Sequence, residues 1–194
     1  MRVIAGSAGG IRLTVPETDV RPTMDRVKAA IFSSLGNRIT GARVLDLFAG
    51  TGALGIEALS RGAVAALFVE ENRAAVVAIE QNFIRTKVRG HVKSQEVFAF
   101  LESARVTEPF DIIFADPPYE KTKNGGEFTR LLLLNQKLAD LLAPDGIFVL
   151  EKRPEELLLS AGLWAIARQK RYGATEVLFL QHALAASAAE SGSA

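Results

Sequence analysis

The spacing of apolar positions along this chain changes near residue 43. Beyond it, short continuous apolar runs alternate with stretches in which apolar residues recur every three or four positions. The runs at 44–48 (interrupted only by Asp46), 65–70, 110–115 and 147–151 predict strands, as does the weaker segment 92–94, and the periodic stretches at 53–60, 73–86, 97–104 and 128–142 predict helices. Mostly apolar strands separated by helices belong to βαβ units. The fold class is therefore α/β, with a mostly parallel sheet covered by helices on both faces. A short helix at 155–161 is followed by strands at 164–171 and 176–181. Gly173 between those two makes them a hairpin, which places one antiparallel strand in the sheet.

Before residue 43 the pattern is different. Two short alternating segments, 2–5 and 11–15, surround the turn-forming residues 6–10 and predict a β-hairpin. Residues 16–22 read as a loop. Thr23 caps a helix over 24–35 with Val27, Ala30, Ile31 and Leu35 on one face, and Gly36-Asn37 ends it. The organisation is then an N-terminal extension over 1–40, an α/β domain over 41–182 and an Ala/Ser-rich tail over 183–194 that is expected to be disordered.

Composition narrows the setting. The 194 residues suit one domain, and 48% apolar content is ample for a core. No apolar run approaches the ~20 residues of a membrane span, and the opening residues lack the apolar stretch of a signal peptide. The chain has no cysteine, which excludes disulfides and thiolate metal sites and fits a reducing cytoplasm. Its two histidines, His91 and His182, offer little for a metal site, and no metal is expected. The net charge of +1 conceals an asymmetry: residues 1–40 carry six Lys/Arg against three acids. A basic arm of this kind suits phosphates, and Arg2, Arg12, Arg21, Arg26 and Lys28 are candidate nucleic-acid contacts, with Lys121 and Lys123 further along.

Two motifs carry chemistry. The first is Asp46-Leu47-Phe48-Ala49-Gly50-Thr51-Gly52, running from a strand through a tight turn into a helix. In an open α/β sheet this turn lies at the carboxyl end of the strand, where ligands bind. The six residues 50–55 formally fit the dinucleotide pattern G-x-G-x-x-G, so an NAD site is one alternative. Asp46 stands in an otherwise apolar strand, and a buried carboxylate there is costly without a partner. S-adenosylmethionine, which brings a sulfonium and an ammonium, supplies one. Glu70 ends the second strand, where an acid accepts hydrogen bonds from ribose hydroxyls; Glu71 is its neighbour but points the opposite way. Gln95 or Glu96, after the third strand, is positioned for an adenine amino group.

The second motif is Asp116-Pro117-Pro118-Tyr119, immediately after the strand at 110–115. Two prolines remove two backbone donors and leave a rigid turn that presents acceptors, namely the Asp116 carboxylate and nearby carbonyls such as that of Pro117. An exocyclic amine on a nucleobase is a poor nucleophile, because its lone pair is delocalised into the ring. Two acceptors on its N–H groups expose the lone pair and stabilise the positive charge that grows on nitrogen during attack. Tyr119 offers a ring on which a base stacks. Asp116 is also a candidate cofactor contact.

These motifs resemble those of amino-methyltransferases acting on adenine, cytosine and guanine. The closer resemblance is to the bacterial small-subunit ribosomal RNA guanine-N2 methyltransferases of the RsmD type. It is carried by the opening Met1-Arg2-Val3-Ile4-Ala5-Gly6, by Arg21-Pro22-Thr23-Met24-Asp25-Arg26-Val27-Lys28, by residues 44–63 and by Asp116-Pro117-Pro118-Tyr119. The resemblance implies a seven-stranded Rossmann-like, class I methyltransferase sheet with an RNA-contacting N-terminal extension. It implies methyl transfer from S-adenosylmethionine to N2 of a guanine in 16S rRNA, position 966, within the small ribosomal subunit or its precursor. A cytoplasmic monomer is expected. Two features depart from the family: residues 6–12 are less basic than in relatives, and Gln95-Glu96 stands where an Asp is often found. Two other readings are a DNA adenine-N6 methyltransferase, for which the chain has no large insertion to read sequence, and a non-catalytic RNA-binding assembly factor, against which the intact Asp116–Tyr119 turn argues.

Overall fold

The computed structural model describes residues 1–15, 23–105, 108–118, 127–156 and 162–183. Arg21, Tyr119, Lys121, Lys123, most of the predicted helix at 155–161 and the tail from residue 184 lie outside the described residues. The chain divides into two compact units, Met1–Ala104 and Arg105–Ala194.

The first unit contains α1 (Thr23–Leu35), a 3-10 turn (Gly36–Ile39), β1 (Arg43–Leu47), α2 (Ala53–Ser60), β2 (Ala65–Glu70), α3 (Arg73–Thr86), β3 (His91–Ser94) and α4 (Val97–Ser103). Its strands pair in parallel in the order β3-β2-β1. Val44, Leu45, Asp46 and Leu47 are buried in succession, as in a strand with both faces covered. Phe68 of β2 is fully buried and meets Phe83 of α3 edge-on at 5.2 Å. The helices start where side chains replace the missing backbone partners. Asn72 accepts from the N–H groups of Ala74 and Ala75, and Glu96 accepts from those of Phe98 and Ala99.

The N-terminal hairpin predicted for residues 2–15 forms in shortened form. Around the antiparallel bridge of Arg2 and Arg12, Val3 donates to the Ile11 carbonyl, Leu13 to the Met1 carbonyl and Gly10 to the Val3 carbonyl. The donors between these two segments go to α2 instead. Ile4 and Ala5 give their N–H groups to the Glu57 carboxylate, while Ser7 and Ala8 give theirs to the carbonyl and hydroxyl of Ser60. The extension is therefore part of the first compact unit.

The second unit contains β4 (Phe110–Ala115), α5 (Glu127–Leu134), α6 (Gln136–Leu141), β5 (Leu142–Lys152), β6 (Trp164–Tyr172) and β7 (Thr175–His182). Its strands run in the order β4-β5-β7-β6. Here β4 and β5 are parallel, and β7 runs antiparallel to both β5 and β6, as the Gly173 hairpin predicts. The single helix expected over 128–142 is two, because the Asn135 side chain accepts from the N–H of Leu138 and starts a new helix. The Pro144-Asp145-Gly146 turn survives as an irregularity inside a longer strand: Phe110 pairs with Leu142 and Ile112 with Ile147. The exposed strand β6 carries Arg168, Lys170 and Arg171, charges that discourage a further strand from adding there.

Lys152 is 1% exposed, and its ammonium lies 2.8 Å from the Glu176 carboxylate across the β5–β7 ladder. Burial pushes the Glu176 carboxyl up, but hydrogen bonds from Lys152 and Gln169 and the charges of Lys152 and Arg171 outweigh it and hold it below 4.5. A depressed carboxylate stabilises the fold fully above its ordinary value, and the contribution drains as pH falls through the lowered one. Urea midpoints measured between pH 7 and 3 should therefore fall at the acid end, with a shallower fall in Glu176→Gln.

Candidate active site

The turn after β1 departs from extended geometry at once. Phe48 has φ 56°, Gly50 54° and Gly52 75°. A left-handed conformation at Phe48 costs about 1–2 kcal/mol. The surroundings hold it: Ala49 donates its N–H to the Val69 carbonyl, Gly52 donates to the Ala49 carbonyl at 2.7 Å, and the half-buried Phe48 ring meets Phe98 edge-on at 6.4 Å.

The glycines of this turn do different work. A Cβ on Gly50 would meet only the Phe48 carbonyl, at 4.0 Å, so that side of the turn is open to a ligand's close approach. Gly55 faces inward, where a Cβ would stand 2.3 Å and 2.5 Å from two Phe68 ring carbons. The open side leaves room for a ligand, and the closed side is taken up by packing. Gly55→Ala should lower stability by about 1–3 kcal/mol, read as a lower thermal midpoint, since the buried Phe68 ring has nowhere to move.

Asp46 is 2% exposed, and its Oδ2 accepts from the Gly55 N–H at 2.8 Å. Gly52, the N-cap of α2, has no side chain to cap the helix, so Asp46 supplies the missing acceptor from the strand below. A cationic ligand is thus not required to account for its first hydrogen bond. Glu70 accepts from the N–H of Gly50 at 2.7 Å and from that of Asn72 at 2.8 Å, one on each oxygen. Each oxygen keeps a lone pair for a diol. Glu71, the alternative, is exposed. After β3, both Glu96 oxygens are engaged in capping α4. Gln95 anchors its backbone N–H on the Glu70 carbonyl and reaches Ser103 Oγ only at 3.4 Å through its amide nitrogen. Among the described residues its amide oxygen has no partner.

In the second unit, β4 ends at Ala115 and the turn begins. Asp116 is half-buried, Pro117 buried and Pro118 exposed. Tyr119 lies outside the described residues.

The basic candidates separate. Arg2, Arg12 and Arg26 are exposed, and neither Arg2 nor Arg12 has an ion pair among the described residues. Like charges directly opposite across a bridge destabilise it unless an anion sits between them. Lys28 is a correction to the expected phosphate contacts. It is 4% exposed, lies 3.2 Å from Glu57 and donates to the Arg2 carbonyl. Burial draws its ammonium below 10.5, although Glu57 and Asp25 act the other way. Residue type alone assigned it to the surface.

Sequence reasoning missed two polar residues that hold this region. Glu57 and Asn82 are both fully buried, on α2 and α3. Part of the signal was available: Asn82 is in register with Ala75, Ala78 and Ile79 on the stripe that α3 buries, whereas α2 is buried at the successive residues 55–58 and offers no stripe that singles out Glu57.

The model of the family described as Conserved hypothetical protein 95 matches residues 1–181. The chain belongs to that family. YlbH of Bacillus subtilis (strain 168) is 38% identical over 182 residues, covering 91% of this chain and 96% of that protein. Ribosomal RNA small subunit methyltransferase D of Escherichia coli (strain K12) is 35% identical, covering 89% and 85%. Among solved structures, yhhF from Escherichia coli superposes with a TM-score of 0.78 at 34% identity, covering 94% of this chain and 97% of that one. A likeness of that extent shows the seven-stranded Rossmann-like fold that the family resemblance implies, in keeping with the α/β class read from the strand–helix pattern. The family match spans both the N-terminal extension and the β4 turn, so both belong to what this family shares.

Proposed function

We propose that this member of the family is an S-adenosylmethionine-dependent rRNA methyltransferase that modifies N2 of a guanine, position 966, in 16S rRNA. The observation that carries the reading is the open glycine turn whose Gly50 N–H is held by the Glu70 carboxylate; the Asp-Pro-Pro turn that follows β4 in the second unit supports it. Family membership extends the reading from amine methylation to ribosomal RNA.

The cofactor, when bound, supplies an electrophilic methyl on its sulfonium. The chain's residues do the rest. Glu70 binds the ribose hydroxyls, and the amide oxygen of Gln95 accepts from the adenine amino group. Phe48, Ala49, Gly50, Thr51 and Gly52 form the backbone wall beside the cofactor, and Asp46 fixes the helix that follows them. Asp116 and the Pro117 carbonyl accept from the guanine amine, aim its lone pair and take up the charge that develops on nitrogen. Tyr119 stacks on the base, which must leave its helix or fold to be reached. Arg2, Arg12 and Arg26 contact phosphates, with Arg21, Lys121 and Lys123 in the same role. The enzyme acts as a cytoplasmic monomer on the small subunit or its precursor.

Incubation with methyl-labelled cofactor and 30S particles from a strain lacking the enzyme should place one label at a guanine N2 in 16S rRNA. Label in duplex DNA and none in rRNA would overturn the reading. Arg2→Ala and Arg12→Ala should each weaken RNA binding and reduce the slope of log K against log[salt] by about one.

A further inference from the structure

We infer that Asn82 is a positioning residue for the cofactor, tying the glycine turn to the N-terminal segment. This rests on the reading of that turn as the cofactor site.

Asn82 is fully buried on α3. Its Oδ1 accepts from the Thr14 N–H at 2.7 Å, and its Nδ2 donates to the Thr14 carbonyl and to the Thr51 carbonyl, both at 3.0 Å. Three of an amide's four hydrogen-bonding sites are thus filled, all by backbone. Two of them pair with both polar groups of one residue, as a neighbouring strand would. The third reaches the middle of the cofactor turn.

Thr51 lies between Gly50 and Gly52, both in left-handed conformations. No strand or helix holds a carbonyl at that point, so its direction must be set by an outside donor. Asn82 is that donor. A second link runs the same way, since the Thr51 hydroxyl contacts the Met1 sulfur at 3.4 Å. The turn is therefore braced from the N-terminal side, by the segment that also carries the exposed pair Arg2 and Arg12. A ligand that orders the turn orders the Thr51–Asn82–Thr14 chain with it, and the two surfaces share one buried amide.

The test uses the full chain and S-adenosylhomocysteine as probe, so that it does not depend on which nucleic acid is methylated. Asn82→Ala should raise the dissociation constant for the probe about tenfold, the size expected when a buried carbonyl loses its donor. On 30S particles, KM for the cofactor should rise in step while kcat changes less than about twofold, as for an interaction made equally in the ground and transition states. Asn82→Ser keeps a polar group but is too short to span the two segments, and should show the same loss. In the unmodified protein, hydrogen exchange at the Thr14 amide should slow when the probe binds. A folded variant that binds the probe as the wild type does would overturn the inference, reducing Asn82 to a purely structural tie. So would Thr14 exchange that is indifferent to the probe, a measurement that needs no variant to fold. Failure of the wild type to bind the probe would overturn the cofactor reading itself; failure to label rRNA with binding intact would leave Asn82's role standing and remove only the substrate.

Discussion

Asp116→Ala should lower kcat for methyl transfer by about 10²–10³-fold, the loss typical of removing one preorganised group that stabilises transition-state charge. Ground-state nitrogen is planar and neutral, and in the transition state it is pyramidal and carries positive charge. A carboxylate acceptor interacts far more strongly with the second than with the first, so its removal appears in kcat and kcat/KM together. Asp116 is half-buried at the end of β4 and outside the packed core, so the variant should melt within a few degrees of wild type. S-adenosylhomocysteine and RNA binding should be retained. Single-turnover transfer to undermethylated 30S particles measures the chemical step directly. Turnover unchanged from wild type would remove Asp116 from the chemistry, and turnover absent in wild type would favour the non-catalytic assembly factor.

The largest expected stability effect lies in the first unit. Glu57→Ala should cost about 3–5 kcal/mol, out of a total that for most domains is about 5–15 kcal/mol. The Glu57 carboxylate is 0% exposed and serves four donors: the N–H groups of Ile4 and Ala5, the Lys28 ammonium at 3.2 Å and the Arg61 guanidinium at 2.7 Å. Its removal leaves two backbone donors without their acceptor and a buried ammonium that keeps the Arg2 carbonyl but loses its counter-charge. Glu57→Gln keeps an acceptor and should lose less.

The pH dependence of that variant has a definite sign. Lys28 is already below its ordinary 10.5, with burial the cause and Glu57 the main opposing influence. Without Glu57 its value falls further. The unfolded chain then binds more protons than the folded one between the two values, so stability rises with pH across that window. The deficit of Glu57→Ala, measured by urea unfolding, should shrink between pH 7 and 10. A deficit independent of pH would mean that Lys28 finds another partner or leaves the interior.

The same cluster explains why the opening hairpin is so short. Alternation at 2–5 and 11–15 is a genuine strand signal, and the Arg2–Arg12 bridge is its trace. Local pattern cannot know that Glu57 and Ser60 offer acceptors more than fifty positions along the chain. Lys28 escapes a local reading for a related reason: a lysine in a basic stretch, here between Val27 and Ala29, is statistically a surface residue, and only the arrival of Glu57 makes its burial tolerable.

By itself, the sequence determined the alternation of strands and helices, the glycine turn, Glu70 at the end of β2 and the acceptor turn after β4. Each of these is written in neighbouring residues: apolar periodicity selects the element, and glycine or proline fixes the turn that follows it. The tertiary structure alone decided that Gly50 opens outward while Gly55 packs against Phe68, and that Asp46 caps α2. It also decided that Lys28 is interior and that Asn82 joins Thr14 to Thr51. These depend on hydrogen bonds and contacts between segments up to 68 positions apart. No local rule specifies such a pairing, because the partner exists only once the chain has folded.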